Sequence, residues 1–165
     1  IHGGFVLCSP SDGDAGLTAT RLEVPQGVEA VIVIPEGERL PTSEAREVVP
    51  GQIAHADAVA NVAAASQLVL GIERSDLALI SRGLADRLHQ PYRAHLYPRS
   101  MQVVDAAGEL GALGATISGA GPAVLVWCFW QDTGKVIDAL SERFGEAAEI
   151  SRVPFSALGA DVPEL

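Results

Sequence analysis

Short apolar runs of strand length open the chain, and they are rich in β-branched residues. This pattern predicts strands at Gly3–Ser9, Thr18–Val24 and Glu29–Pro35. The first two are expected to pair as a hairpin across a turn at Ser11–Gly16, whose Gly and Asp residues favour a turn. The third run, EAVIVIP, is apolar at most positions and fits a central strand that is covered on both faces.

Longer stretches with helical periodicity follow, and their apolar positions and capping residues predict five helices. These are Leu40–Pro50, Gln52–Gly71, Ser75–Arg87, Arg99–Leu113 and Asp132–Phe144. Thr42 or Ser43 is expected to cap the first, and Ser75 the third. The second is apolar almost all round, so we expect it to be buried and to end at Gly71.

A glycine-rich loop joins two predicted strands within residues 114–129, GATISGAGPAVLVWCF. Its members Ser118, Gly119, Ala120 and Gly121 have small side chains, which leave backbone N–H groups open to an anion or a polar substrate. The two glycines also permit positive φ angles and a close approach of another group. A hairpin turn without any ligand fits the same composition.

The order of the elements from residue 29 onward predicts an α+β fold. A strand, a helical crossover, two strands, a helix and a closing strand at 147–153 follow one another. This is the split βαβ, ferredoxin-like order with an enlarged first crossover, and it predicts an antiparallel sheet with helices on one face. The hairpin at 3–24 stands outside this sheet.

Composition and charge exclude several classes of function. The 165 residues are 48% hydrophobic and carry a formal net charge of −10. Without a basic stripe, nucleic acids and anionic membranes are poor candidates as partners. The longest apolar run, 123–130, is too short to span a membrane. The length predicts one domain, or one domain and a fraction of another, and we expect a cytoplasmic protein.

The cysteines and other metal-ligating residues show no ligand spacing. Cys8 and Cys128 both lie in apolar runs and are expected to be buried free thiols rather than a disulfide framework. Four scattered histidines do not suggest a zinc site. Asp12 and Asp14 do not complete a calcium loop and are expected to lie in a solvated turn.

Two stretches hold candidate binding residues. Thr42 and Arg46 are four residues apart and share one helical face, where an arginine beside a hydroxyl can hold a carboxylate. A solvated arginine is equally consistent with that position. Arg93 lies in a predicted ordered loop with two prolines and two aromatic residues, where it could bind a ligand or pack on Tyr92 or Tyr97.

Three strings resemble a known enzyme family. SGAGPAVLV, preceded by LGATI, resembles the third conserved motif of the GHMP kinases, while LPTSEAREVVP and HQPYRAHLYP resemble the homoserine kinase branch. The resemblance implies ATP-dependent, Mg²⁺-assisted phosphorylation of the L-homoserine hydroxyl, an early step towards threonine. It also implies that Thr42, Arg46 and Arg93 bind the substrate. The loop Ser118–Gly121 would border the substrate and the phosphate.

The resemblance covers only the second half of such an enzyme. The phosphate-binding motif P-x-x-x-G-L-G-S-S is not found, so ATP and Mg²⁺ would be held mainly by residues outside this chain. We expect residues 1–27 to be a hairpin remnant of the N-terminal GHMP kinase domain and residues 28–165 to be the C-terminal domain. The missing N-terminal domain would be a partner, and a homodimer is compatible with the sequence.

The catalytic residues stay unknown at this stage, because no side chain stands out as a general base. The chain alone is expected to turn over little or no substrate. Two alternatives stay open: another GHMP kinase with a mevalonate-like or sugar-like acceptor, and a non-catalytic module that binds an amino acid, a role that ferredoxin-like domains also serve.

Overall fold

The computed structural model describes residues 3–10, 16–37 and 40–159. Within them the strands are β1 (Phe5–Pro10), β2 (Leu17–Leu22), β3 (Val28–Pro35), β4 (Gly114–Ile117), β5 (Val124–Phe129) and β6 (Ala148–Val153). The helices are α1 (Thr42–Glu47), α2 (His55–Arg74), α3 (Leu77–Gly83), α4 (Gln90–Arg93), α5 (Pro98–Ala106) and α6 (Thr133–Phe144). The predicted turn with Asp12 and Asp14 lies outside the described residues.

Four strands form an antiparallel sheet in the order β4-β5-β3-β6. The register pairs Val33 with Val124 across β3 and β5, and Ala30 with Val153 across β3 and β6. Of these four strands, β3 comes first in the chain. It lies between β5 and β6 and is antiparallel to both. This is the ferredoxin-like order that the sequence predicts.

One face of this sheet packs against α5 and α6. Side chains alternate along β5, so Val124, Val126 and Cys128 enter this layer, where they are fully buried. They meet Val103 of α5 and Leu140 of α6. Each such side chain stabilises the fold by about 1.5–3 kcal/mol through its removal from water.

The opposite face is covered as well. Trp127, which alternates with the residues above, lies in a second buried cluster with Ile72 of α2 and with Ile80 and Leu84 of the α3 region. The two helices pack closely because Gly83 has no side chain: a Cβ there would lie 2.5 Å from the Leu68 nitrogen. Helices therefore contact both faces of the sheet, and the prediction of helices on one face is wrong, because α2 and the α3 region cover the face that holds Trp127.

The predicted burial and end of α2 are wrong. Val59 and Val62 are 55% and 67% exposed, since α3 covers one side of α2 and none of the described residues covers the other. Gly71 is an interior position whose absent Cβ would lie 2.7 Å from the Ile80 nitrogen, so close packing rather than capping requires glycine there. The last helical residue is Arg74, and the C-cap is Ser75, which has φ +52°.

Two predicted N-caps are also wrong. α1 begins after Pro41, without a side-chain cap, so Thr42 is its first helical residue. α3 is capped by Asp76, whose carboxylate accepts the Leu79 N–H at 3.0 Å. Ser75 was expected in that role, but its hydroxyl accepts the Gln26 N–H instead.

The hairpin of β1 and β2 is a separate two-stranded sheet, as predicted from the sequence. It is attached to the main sheet by an aromatic cluster, in which Phe5 lies 5.6 Å from Trp127 and 4.7 Å from Phe155 between ring centroids. Most of the hairpin is exposed, and so is Cys8, contrary to expectation. Cys128 is buried, which raises its thiol pKa to about 11.

Candidate functional site

Arg93 is the last residue of the short helix α4, where the sequence predicted a loop, and it connects three parts of the fold. Its Nε donates to the Ala45 carbonyl of α1 at 2.8 Å, and its Nη1 donates to the Gly119 carbonyl of the glycine loop at 3.1 Å. Guanidinium has five N–H donors, and Nη2 has no partner among the described residues. The arginine is therefore fixed in place while one edge stays open to a ligand.

The start of α4 is held by the carboxylate of Asp86. Its oxygens accept backbone N–H groups from Leu88 at 2.7 Å, from His89 at 3.1 Å and from Gln90 at 2.7 Å. A carboxylate at the start of a helix satisfies donors that have no partner within the helix. This capping sets the direction in which the short helix presents Arg93.

The glycine loop is a closed turn. The Ser118 N–H donates to the Ala123 carbonyl at 2.7 Å, and the Gly121 N–H donates to the Ser118 carbonyl at 3.1 Å. In the described structure these bonds leave the N–H groups of Gly119 and Ala120 for a ligand, so fewer donors are open than the sequence suggests. The Ser100 hydroxyl donates to the Pro122 carbonyl at 2.6 Å from behind the loop.

A cavity of about 340 Å³ lies between α4 and the glycine loop. It is lined by Asp86, His89, Gln90, Arg93, Thr116, Ile117 and Gly119. The volume is at the small end of ligand sites, and carboxylate, guanidinium and hydroxyl groups line it together, which suits a small, polar, charged molecule. Hollows of about 410 and 440 Å³ lie elsewhere, without any of the predicted site residues.

Thr42 and Arg46 lie on α1, next to this cavity but not in its lining. Both are exposed, whereas Ala45 between them is buried and accepts the hydrogen bond from Arg93. The structure thus connects α1 to Arg93 through the backbone. A ligand that spans α1 and the cavity would be needed to bring all three predicted residues into one site.

Five lining residues were not among the predicted site residues: Asp86, His89, Gln90, Thr116 and Ile117. Asp86 could have been found, because an acidic residue a few positions before Pro91 is typical of a helix start. Gln90 and Thr116 carry no such indication. The amide Asn61, which the sequence leaves between a structural and a ligand role, accepts the Arg87 N–H at 2.7 Å and is structural.

The described residues include neither a cluster of metal-ligating side chains nor a membrane-spanning helix. Among residues 3–10, 16–37 and 40–159, no group of three or more His, Cys, Asp or Glu side chains is placed to hold a metal ion. Since Mg²⁺ is bound through oxygen ligands such as carboxylates, the residues present do not fit a magnesium site of their own. No helix in this part of the chain has the length and apolarity to cross a membrane.

Comparison with known proteins places these elements in a family. The family model for the C-terminal region of the GHMP kinases matches residues 68–151, which include Arg93 and the glycine loop. A homoserine kinase from Prochlorococcus marinus (strain MIT 9312) is 39% identical over 155 residues. One from Synechococcus sp. (strain CC9605) is 44% identical over 135 residues.

The chain spans about half the length of these relatives. It is covered to 94% by the Prochlorococcus protein but matches 49% of that sequence, and the corresponding shares for the Synechococcus protein are 81% and 42%.

Solved structures agree. The chain superposes on homoserine kinase from Cytophaga hutchinsonii with a TM-score of 0.81 at 31% identity, over 94% of this chain and 50% of that one. It superposes on Leishmania major mevalonate kinase with a TM-score of 0.71 at 18% identity, over 94% and 51% of the two chains, which shows a shared fold. The chain therefore belongs to the GHMP kinase family, of which it carries the C-terminal domain.

Proposed function

We propose that the complete protein carrying this chain is an ATP-dependent homoserine kinase and that this chain supplies the acceptor side of its active site. The observation that carries the proposal is the placement of Arg93, which lines a small polar cavity beside the glycine loop and whose Nη2 has no partner among the described residues. The similarity to homoserine kinases along 94% of the chain supports the choice of acceptor.

In this proposal the substrate carboxylate binds Arg93 and Arg46, and Thr42 contacts the amino acid from the start of α1. The free N–H groups of Gly119 and Ala120 face the reacting end of the substrate. The acceptor hydroxyl oxygen then forms a bond to the γ-phosphorus and loses its proton, which is released to solvent. The bond from that phosphorus to the β–γ bridging oxygen breaks, and ADP leaves. The residues of this chain act by orientation, which is a large part of catalysis in phosphoryl transfer.

ATP and Mg²⁺ are assigned to residues outside this chain. When bound, they supply the phosphoryl group and neutralise the charge that develops on it. The relatives, in which this chain matches about half the length, leave room for a nucleotide-binding half.

We assign residues 1–27 to the sheet of that other half and residues 28–165 to the C-terminal domain. The separate β1–β2 sheet supports this division, since its strands pair only with each other among the described residues. Leu7 and Leu17 are 51% and 75% exposed, as expected for a surface that another domain covers.

Two free cysteines, Cys8 and Cys128, support a cytoplasmic location.

The role of Arg93 is tested by Arg93→Ala in the complete protein. Loss of a charge-assisted hydrogen bond to a carboxylate is worth about 1.5–3 kcal/mol, so the KM for L-homoserine should rise roughly 10- to 100-fold with little change in the KM for ATP. Arg74→Ala, which removes an exposed arginine at the end of α2, is the matched control and should leave both constants unchanged.

A second measurement is independent of any loosening of the fold by that substitution. The unaltered enzyme is assayed with L-homoserine methyl ester, which keeps the hydroxyl and lacks the carboxylate. We expect its KM to rise by a similar factor. Equal KM values for the ester and the free amino acid would contradict carboxylate binding by the arginines.

The shared fold with mevalonate kinase favours one alternative, a GHMP kinase that acts on a different acceptor. A parallel assay with R-mevalonate distinguishes the two, because turnover of mevalonate without turnover of homoserine would replace the proposed acceptor. A non-catalytic amino-acid-binding module would bind L-homoserine without any release of ADP.

A further inference from the structure

The single turn of α4 contacts the strand and loop beside it through two side chains. Gln90 and Arg93 are three residues apart and lie on one face of that turn. The Gln90 carboxamide oxygen accepts the Ile117 N–H at 2.7 Å, and Arg93 donates to the Gly119 carbonyl at 3.1 Å. The first contact is at the last residue of β4 and the second is inside the glycine loop.

The Ile117 N–H has no acceptor on a neighbouring strand among the described residues, and the side chain of Gln90 supplies one. β4 pairs with β5 alone among the described strands, so its outer edge carries N–H groups that need other acceptors. Gln90 is half-buried, and its own N–H is held by Asp86. The glutamine therefore connects a capped, fixed helix start to the point where the chain leaves β4 and enters the glycine loop.

We propose that Gln90 is a positioning residue: by accepting the Ile117 N–H, it sets the location of the glycine loop relative to Arg93. This inference rests on the proposed function, because the loop and Arg93 face the same acceptor. Without the hydrogen bond, the Gly119 and Ala120 N–H groups lose their fixed distance from the substrate hydroxyl. A misplaced reacting group lowers the rate of the chemical step more than it lowers binding of the nucleotide.

The test compares three variants of the complete protein. Gln90→Met keeps the length of the side chain and removes the acceptor, whereas Gln90→Glu keeps an acceptor oxygen. Gln67→Met is the matched control, because Gln67 also accepts a hydrogen bond, from Arg82 Nε at 2.8 Å, but lies on α2 outside the cavity. For each variant kcat, the KM for ATP and the amide hydrogen exchange of Ile117 are measured.

Loss of one hydrogen bond to a buried or half-buried donor is worth about 1 kcal/mol or slightly more, so we expect kcat of Gln90→Met to fall roughly 5- to 10-fold. Ile117 exchange should accelerate by at least as much, and the KM for ATP should stay constant. Gln90→Glu should keep kcat within about twofold, because the acceptor is retained. An unchanged kcat in Gln90→Met, or equal losses in both Gln90 variants, would overturn the positioning role.

A readout without turnover separates this inference from the proposed function. The amide NMR signals of Gly119 and Ala120 should shift in Gln90→Met and not in Gln67→Met, whichever acceptor the enzyme uses. Unshifted signals would overturn the inference even in an active enzyme. Absence of homoserine-dependent turnover in the unaltered protein, with the signals shifted as expected, would overturn the proposed function alone.

Discussion

At the scale of single residues, the glycine loop depends on a close contact with Tyr97. This side chain is fully buried, and a Cβ on Gly121 would lie 2.6 Å from its ring. Gly121 also has φ +97°, a conformation that other residues rarely adopt. Glycine is therefore required here twice, for backbone conformation and for space.

This predicts a clear difference between two neighbouring substitutions. Gly121→Ala should lower the free energy of unfolding by about 2–4 kcal/mol, from backbone strain together with overlap with a buried ring. Gly119→Ala should cost only about 1 kcal/mol, because φ is +59° but a Cβ at this position would have no neighbouring atom within 4 Å. Urea denaturation measures both, and equal losses would contradict the account of the loop.

Individual residues also show how far sequence reasoning reaches. Arg93 and the glycines were predicted as site residues because their residue types and spacing resemble a family motif, and the structure brings Arg93 and Gly119 together. Gln90 was not found, since a glutamine of ordinary appearance acquires its role only from an Ile117 N–H that is 27 positions away. Contacts between distant segments leave no local pattern in the sequence.

At the scale of elements, β3 and β6 are joined by an ion pair as well as by their hydrogen-bonded ladder. Arg152 Nη2 donates to Glu29 Oε1 at 2.5 Å, and this hydrogen bond lowers the carboxyl pKa of Glu29 against the opposing effect of burial. A carboxyl with a lowered pKa stabilises the fold above its unfolded-state pKa. That contribution is lost as the pH falls through the folded-state pKa.

The pair predicts a pH-dependent effect of Glu29→Gln. The variant should be less stable than the unaltered protein at pH 7. The difference should shrink as the pH falls below the unfolded-state pKa of about 4.3 and through the lower folded-state pKa, because below the latter the carboxyl is protonated in both states. Glu23→Gln, which breaks an exposed pair with Arg21, should change stability little at either pH. A difference for Glu29→Gln that is constant with pH, measured by urea denaturation, would contradict the prediction.

The type of each element, helix or strand, was predicted better than its burial and its capping. All six strands and the amphipathic α6 follow from local apolar patterns, and so does the ferredoxin-like order. The burial of α2 was predicted wrongly. Its apolar composition indicates that the helix can pack against other residues, but not how many of its sides are covered. The cap of α3 was missed because Ser75 and Asp76 are adjacent polar residues that both suit the position, and α1 begins after Pro41 without any side-chain cap.

At the scale of the whole molecule, the chain carries the C-terminal domain of the GHMP kinases, which we propose to be the substrate side of the active site. Its described residues provide the cavity, a fixed arginine and a glycine loop, and no metal cluster is found among them. The match to about half of each relative agrees with this division. We propose that the complete protein carries out homoserine-dependent phosphoryl transfer and that this chain contributes the acceptor site.

The most direct test follows ADP release with Mg-ATP and L-homoserine, for the complete protein and for the 165-residue chain side by side. We expect ADP from the complete protein only when L-homoserine is present, and none from the 165-residue chain. A complete protein without homoserine-dependent ADP release would contradict the proposed function. Homoserine-dependent ADP release by the 165-residue chain alone would contradict the assignment of the nucleotide site to residues outside it.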